Sequence, residues 1–219
     1  MNQNRFDRWS HNYHEGRIHK WFRFRQQLVV EQMDLNDGGA VLDIGCGTGW
    51  CVLNLTERFP RSKSFGLDLS YGMLVKARGE LTSSYGNPFV LGDAESLPFS
   101  SQAFEYVVCT SSFHHYTSPK TALLEFKRIL KPTGKLIIVE SCRCGSFGVC
   151  LWDRWLRIFE EGHVKYYTRE ELFLLFKQAG YKEVGIPFAQ AGVLLHGKLF
   201  DSTVVITGRP EKFKKFEDN

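Results

Sequence analysis

Several residues are spaced so that they could hold a charged ligand or move a proton. Val41-Leu42-Asp43-Ile44-Gly45-Cys46-Gly47-Thr48-Gly49 carries an apolar run into three glycines spaced G-x-G-x-G. Glycine lets the backbone turn sharply and approach a ligand closely. A helix that begins directly afterwards offers unpaired N–H groups. A phosphate loop would need Gly-Lys-Ser/Thr, which is absent. A dinucleotide loop would need a third glycine where Trp50 stands. Asp43 would repel a pyrophosphate, but it attracts an ammonium group. The loop therefore suits an amino-acid zwitterion better than a nucleotide phosphate; a tight strand–helix turn with no ligand is the plain alternative.

S-adenosylmethionine, an amino acid joined to adenosine through a sulfonium, has that chemistry. Asp68 in Gly66-Leu67-Asp68-Leu69-Ser70 lies close to the ~20-residue offset at which an acid meets ribose hydroxyls. Further on come Gly92-Asp93-Ala94-Glu95-Ser96-Leu97-Pro98-Phe99 and Thr110-Ser111-Ser112-Phe113-His114-His115-Tyr116. Histidine titrates near neutral pH, so His114 and His115 are candidate general bases. The bland reading has one of them capping the following helix and the other packing beneath the site.

In this order the motifs resemble those of the class I S-adenosylmethionine-dependent methyltransferases, strongly over residues 40–140 and weakly in the flanks. The resemblance implies that Asp43, Gly45, Cys46, Gly47 and Gly49 form the cofactor loop. It implies that Asp68 holds both ribose hydroxyls, with Leu69 and Met73 against the adenine. Asp93 would accept from the adenine amino group, the N–H of Ala94 would face a ring nitrogen, and the backbone at Thr110 and Ser111 would reach the methionine part. Tyr13 would cover the cofactor. Glu105 stands where the family often has aspartate, and Thr133 where it often has glycine. The Asn/Asp-Pro-Pro-Tyr signature of enzymes acting on amino nitrogens is missing, as is a Pro-Cys nucleophile. The resemblance therefore points to a small-molecule acceptor, as in the quinone-biosynthesis methyltransferases. The expected reaction leaves S-adenosylhomocysteine. Two alternatives stay open: an RNA or protein methyltransferase, and a non-catalytic S-adenosylmethionine-binding partner subunit.

Alternating strand and helix patterns must position these residues, as in an α/β Rossmann-like, doubly wound, mostly parallel sheet. Strands are expected at 40–44, 64–67, 89–91, 104–109, 135–140, 182–187 and 202–207, the final strand antiparallel. Helices are expected at 50–59, 71–81, 119–130, 149–159 and 168–179. Ser70 could cap one of them, and Thr168 with Glu171 has capping-box spacing. Pro132-Thr133-Gly134 reads as a turn before the fifth strand. Phe6, Trp9 and Tyr13 share one face of an N-terminal helix.

The 219 residues fit a single domain, divided as an N-terminal helical lid (1–36), a cofactor-binding core (37–140), acceptor-side helices and last strands (141–210) and a tail (211–219). Apolar residues make up 43% and charged residues 24%, an ordinary globular balance. A net charge of +4 and a pI of 8.7 are too mild for a dedicated nucleic-acid binder. The basic, aromatic N-terminal region allows peripheral membrane contact, which is not favoured. No apolar run is long enough to span a bilayer, and no signal peptide is evident, so a cytoplasmic location is expected, as monomer or homodimer. The six cysteines are expected as free thiols. No metal site is expected, because Cys142, Cys144 and Cys150 match no zinc spacing. Glu160, Glu161 and His163 are expected to border the acceptor pocket.

Overall fold

The structure, a computed structural model, describes residues 6–7, 10, 17–35, 38–80, 88–143, 151, 153–155, 157–158, 164–190, 194–195, 198–199 and 202–211. In chain order these form α1 (Arg17–Val30), β1 (Ala40–Ile44), α2 (Trp50–Arg58), β2 (Lys63–Asp68), α3 (Tyr71–Glu80), β3 (Phe89–Leu91) and β4 (Phe104–Thr110). Then follow α4 (Pro119–Ile129), β5 (Leu130–Cys142), α5 (Arg169–Gln178), β6 (Tyr181–Gln190), β7 (Leu194–Leu195), β8 (Lys198–Leu199) and β9 (Ser202–Pro210).

Seven strands form one sheet in the order β3-β2-β1-β4-β5-β9-β6. β3, β2, β1, β4 and β5 pair in parallel. β9 runs antiparallel between β5 and β6. The alternation of side chains along each strand sorts the core into two layers. Leu42, Ile44, Val107, Cys109, Leu136 and Ile138 pack with α4 and α5 on one face. Val41, Val108, Ile137 and Val139 pack with α1 and α2 on the other. Both faces of the central strands are covered, which is why they read as continuous apolar runs.

The doubly wound architecture expected from sequence is the one observed, with local differences. Leu28, Val29 and Val30 at the end of α1 belong to the core. Their stripe faces the sheet and buries apolar surface there. β5 starts at Leu130, so Pro132–Gly134 is no free turn; it lies in a register irregularity opposite β4. A Cβ at Gly134 would lie 2.9 Å from the Glu105 carbonyl oxygen, so only glycine lets the two backbones come this close. Of the expected caps, Ser70 Oγ accepts from Met73 N (3.2 Å), and Thr168 with Glu171 forms the capping box.

Among the described residues, the free-thiol expectation needs correction at Cys142. Cys46, Cys51 and Cys109 are free and buried, but Cys142 is disulfide-bonded to a partner outside the described residues. Cys51 and Cys109 sit inside α2 and β4 and Cys46 in the buried glycine loop, whereas Cys142 ends β5. No described helix is long and apolar enough to cross a membrane.

Candidate active site

β1 and β4 are neighbours whose following helices, α2 and α4, lie on opposite faces of the sheet. A crevice opens at such a switch point, outside the carboxyl ends of the strands. Every described site residue lies on that edge or on the chain leaving it.

Gly45, Gly47 and Gly49 have φ of 72°, 54° and 78°, a region glycine enters without steric cost. A Cβ on Gly45 would lie 2.0 Å from Ser112 Oγ, so the glycine loop is pressed against the chain leaving β4. Gly45 N and Cys46 N both donate to Leu67 O (2.8 and 3.0 Å). The Cys46 thiol packs among Val52, Leu74, Ala77 and Phe89 and donates to Gly47 O (3.8 Å). Gly47 N donates to Asp68 Oδ2 (2.8 Å), while Asp68 Oδ1 accepts from Ser70 N (2.8 Å). Asp68 thus ties the loop to the end of β2. Leu69 beside it is half-buried, and Met73 is buried in α3.

Asp43 is 2% exposed, and its Oδ1 has no hydrogen-bond partner among the described residues. Burial, reinforced by the Asp68 charge and opposed by a hydrogen bond from Cys51, pushes its carboxyl up to about 7. Asp43 pairs with Val108, two residues before Thr110, so Asp43 and Thr110 share a sheet face. Thr110 Oγ1 is likewise buried without a described partner. Ser111 follows at φ 54°, a rare conformation for serine. Asp93 is exposed, with Oδ1 accepting from Glu95 N (2.9 Å), and Ala94 is buried.

His114 and His115 lie in a short 3-10 turn, Phe113–His115, both buried, with ring centroids 3.9 Å apart. Neither caps α4. Its N-cap is Ser118, whose N–H donates to Glu95 Oε1 (2.8 Å) beside the Thr117 hydroxyl (2.9 Å). His114 Nδ1 lies 2.9 Å from Glu140 Oε1, and Glu140 Oε2 accepts from His114 N (3.2 Å). Arg25 of α1 donates through Nη1 to Ser111 Oγ (2.8 Å) and through Nη2 to Ser141 Oγ (2.9 Å). The same Nη1 is 3.8 Å from Glu140 Oε1, and both side chains are fully buried. Burial pushes the Glu140 carboxyl up, but the charge and hydrogen bond of His114, then Arg25 and Ser141 N–H, hold it below the usual glutamate value.

Two further segments border the histidines. Phe6 packs edge-on against His115 (5.0 Å between centroids), and Asp7 Oδ1 accepts from Ser70 Oγ (2.5 Å) and Gly72 N (2.9 Å). On the other side, Tyr166 lies 4.9 Å from the His114 ring, and Val164 N and Lys165 N donate to His114 O (3.1 and 3.2 Å). Tyr13, Glu160, Glu161 and His163 lie outside the described residues. Sequence reading missed Glu140, Arg25 and Asp7. Glu140 is detectable as a charge closing the apolar run Ile137-Ile138-Val139, and Arg25 as a charge one helical turn before buried Leu28–Val30. Nothing local marks Asp7.

A family profile described as a methyltransferase domain matches residues 42–138. The demethylmenaquinone methyltransferase of Staphylococcus carnosus is 30% identical over 80% of this chain and 80% of that protein. The chain belongs to the class I S-adenosylmethionine-dependent methyltransferases. This methyltransferase is also similar to the ubiquinone/menaquinone biosynthesis C-methyltransferase of Syntrophotalea carbinolica, 32% identical over 51% of this chain and 48% of that protein. A solved S-adenosylmethionine-dependent methyltransferase from Thermotoga maritima superposes with a TM-score of 0.72 at 25% identity, covering 94% of this methyltransferase and 98% of that chain. The two curated relatives are named as methyltransferases of quinone biosynthesis.

Proposed function

We propose that this methyltransferase binds S-adenosylmethionine across the carboxyl ends of β1, β2 and β4 and methylates a small acceptor of the hydroquinone class held against His114. The observation that carries the cofactor reading is Asp43, a buried carboxylate with a bare oxygen beside the glycine loop. A buried acceptor without a donor is costly, and an ammonium-bearing ligand supplies the missing donor. Thr110 Oγ1, bare on the same face, suits the same end of the ligand. In this reading the loop Gly45–Gly49 gives backbone contacts, and Asp68 accepts from the ribose hydroxyls with the lone pairs left by Gly47 N and Ser70 N. Leu69 and Met73 flank the adenine, Asp93 and Ala94 read its edge, Ser111 closes the methionine end and Tyr13 covers the cofactor. The acceptor class is supported by the relatives, which include a 2-methyl-6-phytyl-1,4-hydroquinone methyltransferase of rice.

The bound cofactor supplies a methyl carbon activated by its sulfonium. The protein's part is to place the acceptor in line with that carbon and to take up a proton. A carboxylate only accepts hydrogen bonds, so the contact with Glu140 puts the ring proton of His114 on Nδ1 and its lone pair on Nε2. The sulfonium would give up the methyl group and leave as a neutral thioether, and the proton lost by the acceptor would pass to His114 Nε2. Glu140 is a positioning residue. His115, wedged between Phe6 and His114, shapes the pocket.

Thermal unfolding with S-adenosylhomocysteine tests the cofactor reading. At a hundred times its dissociation constant the ligand adds ~2.7 kcal/mol, or roughly 5–10 °C for a domain this size. The shift is expected with the wild type, absent with NAD, and reduced in Asp68→Ala and Asp43→Asn. No shift in the wild type would remove the reading.

A further inference from the structure

We infer that Arg25, reaching the edge of the sheet from α1, sets the charge state of the Glu140–His114 pair and so keeps the imidazole neutral and able to accept a proton. The catalytic consequence rests on the proposed function; the charge state does not. Glu140 joins an imidazole and a guanidinium through one carboxylate. Oε1 lies 2.9 Å from His114 Nδ1 and 3.8 Å from the Arg25 guanidinium, all within the protein interior. A lone buried carboxylate would draw a second proton onto the ring and form an imidazolium ion pair, because a buried charge needs a counterion. Arg25 supplies a permanent one, since a guanidinium stays protonated. Its place is fixed by hydrogen bonds to Ser111 and Ser141, one on each neighbouring strand end.

The described groups around the ring are consistent with this balance. On its own turn stands His115, on β5 Glu140, and on α1 Arg25. Cys109 of β4 and Tyr167 beyond Tyr166 both feel the Glu140 charge, but burial first, then that charge, raises them: Cys109 far above neutral and Tyr167 to about 12. Both are therefore uncharged near neutral pH. Lys165 crosses the back of the turn, and its ammonium is paired with Glu171 (2.6 Å). Among the described residues, then, Arg25 is the permanent cation that faces Glu140. After a methyl transfer the cluster carries one extra positive charge, and Arg25 helps expel that proton before the next turnover.

The test follows the imidazoles of the full-length protein, histidine-labelled with 15N, by NMR across a pH series, with His114 assigned from His114→Gln. In the wild type the His114 ring is expected neutral at pH 7, with its proton on Nδ1. In Arg25→Gln and Arg25→Met its titration midpoint should rise by about one pH unit or more, the usual effect of an opposite charge left uncompensated at this distance. Arg25→Lys should leave it in place, and adding Glu140→Gln to Arg25→Gln should bring it back down. An unmoved midpoint in both neutral variants, or an imidazolium already present in the wild type at pH 7, overturns the inference. Should the neutral variants fold only when Glu140→Gln is added, the charge balance is supported through stability; if that double variant is no better folded, Arg25 is a packing residue and the inference fails. A wild type that gives this titration but no melting shift with S-adenosylhomocysteine would sink the cofactor reading alone.

Discussion

The two halves of the site are built by different means. At the ends of β1 and β2, loop N–H groups reach the adjacent strand end: Gly45 and Cys46 on the Leu67 carbonyl, and Gly47 on the Asp68 carboxylate. At the ends of β4 and β5, three buried side chains from α1, a 3-10 turn and β5 meet in one charge cluster, Arg25, His114 and Glu140. The first half rests on glycine geometry, with loop N–H groups tied to the end of β2. The second holds charge in a dry interior, where loss of one partner strands another.

Substitutions should separate the halves. The largest effect is expected for His114→Gln, which should lower turnover of a hydroquinone acceptor by ~10²–10⁴-fold while leaving S-adenosylhomocysteine affinity nearly unchanged. Equal losses in both would show the halves to be one unit. Glu140→Ala should destabilise the fold by ~3–5 kcal/mol, because it leaves Arg25 buried without its counterion, as read by urea denaturation. The cofactor half should respond to pH. The Asp43 carboxyl, raised to about 7 by burial and the Asp68 charge, keeps its proton in the ligand-free fold while an unfolded carboxyl loses it near the ordinary value of 3.8. Its contribution to stability is therefore fully present below about pH 4 and is lost as pH rises towards 7. Cofactor affinity should run the opposite way, because the ammonium needs the carboxylate. Calorimetry should find S-adenosylhomocysteine bound about tenfold more tightly at pH 8 than at pH 6, with Asp43→Asn flat across that range. The smallest effect, ~1 kcal/mol of stability with no change in ligand binding, is expected when Thr168→Ala removes the α5 cap.

The same contrast explains what could be read from the chain. The places of the glycine loop, Asp68 and Asp93 were legible because each sits a fixed distance from a strand end. The core strands were legible from their apolar runs, and α5 from its capping box. The start of β5 was misplaced because proline and glycine together signal a turn, whereas here they mark an irregularity between two close backbones. Arg25 and Glu140 were visible only as misplaced charges, since neither carries local information about the other. Asp7 was invisible. It accepts from Gly72 at the start of α3, a contact that no spacing rule encodes.

The position of β9 has a consequence for how this protein comes into being. β5 and β6 are both synthesised before β9, yet neither pairs with the other; β9 lies between them, hydrogen-bonded to both. Until Ser202–Pro210 arrives, a nascent chain carries two open strand edges next to the apolar run Leu136–Val139. Such edges readily pair with other chains. The buried Val204-Val205-Ile206 segment therefore acts as the keystone of assembly. A ribosome pausing between β6 and β9 would leave the cofactor half formed and the sheet exposed to aggregation. Slow synthesis just there should lower the yield of native protein more than an equal pause earlier in the chain.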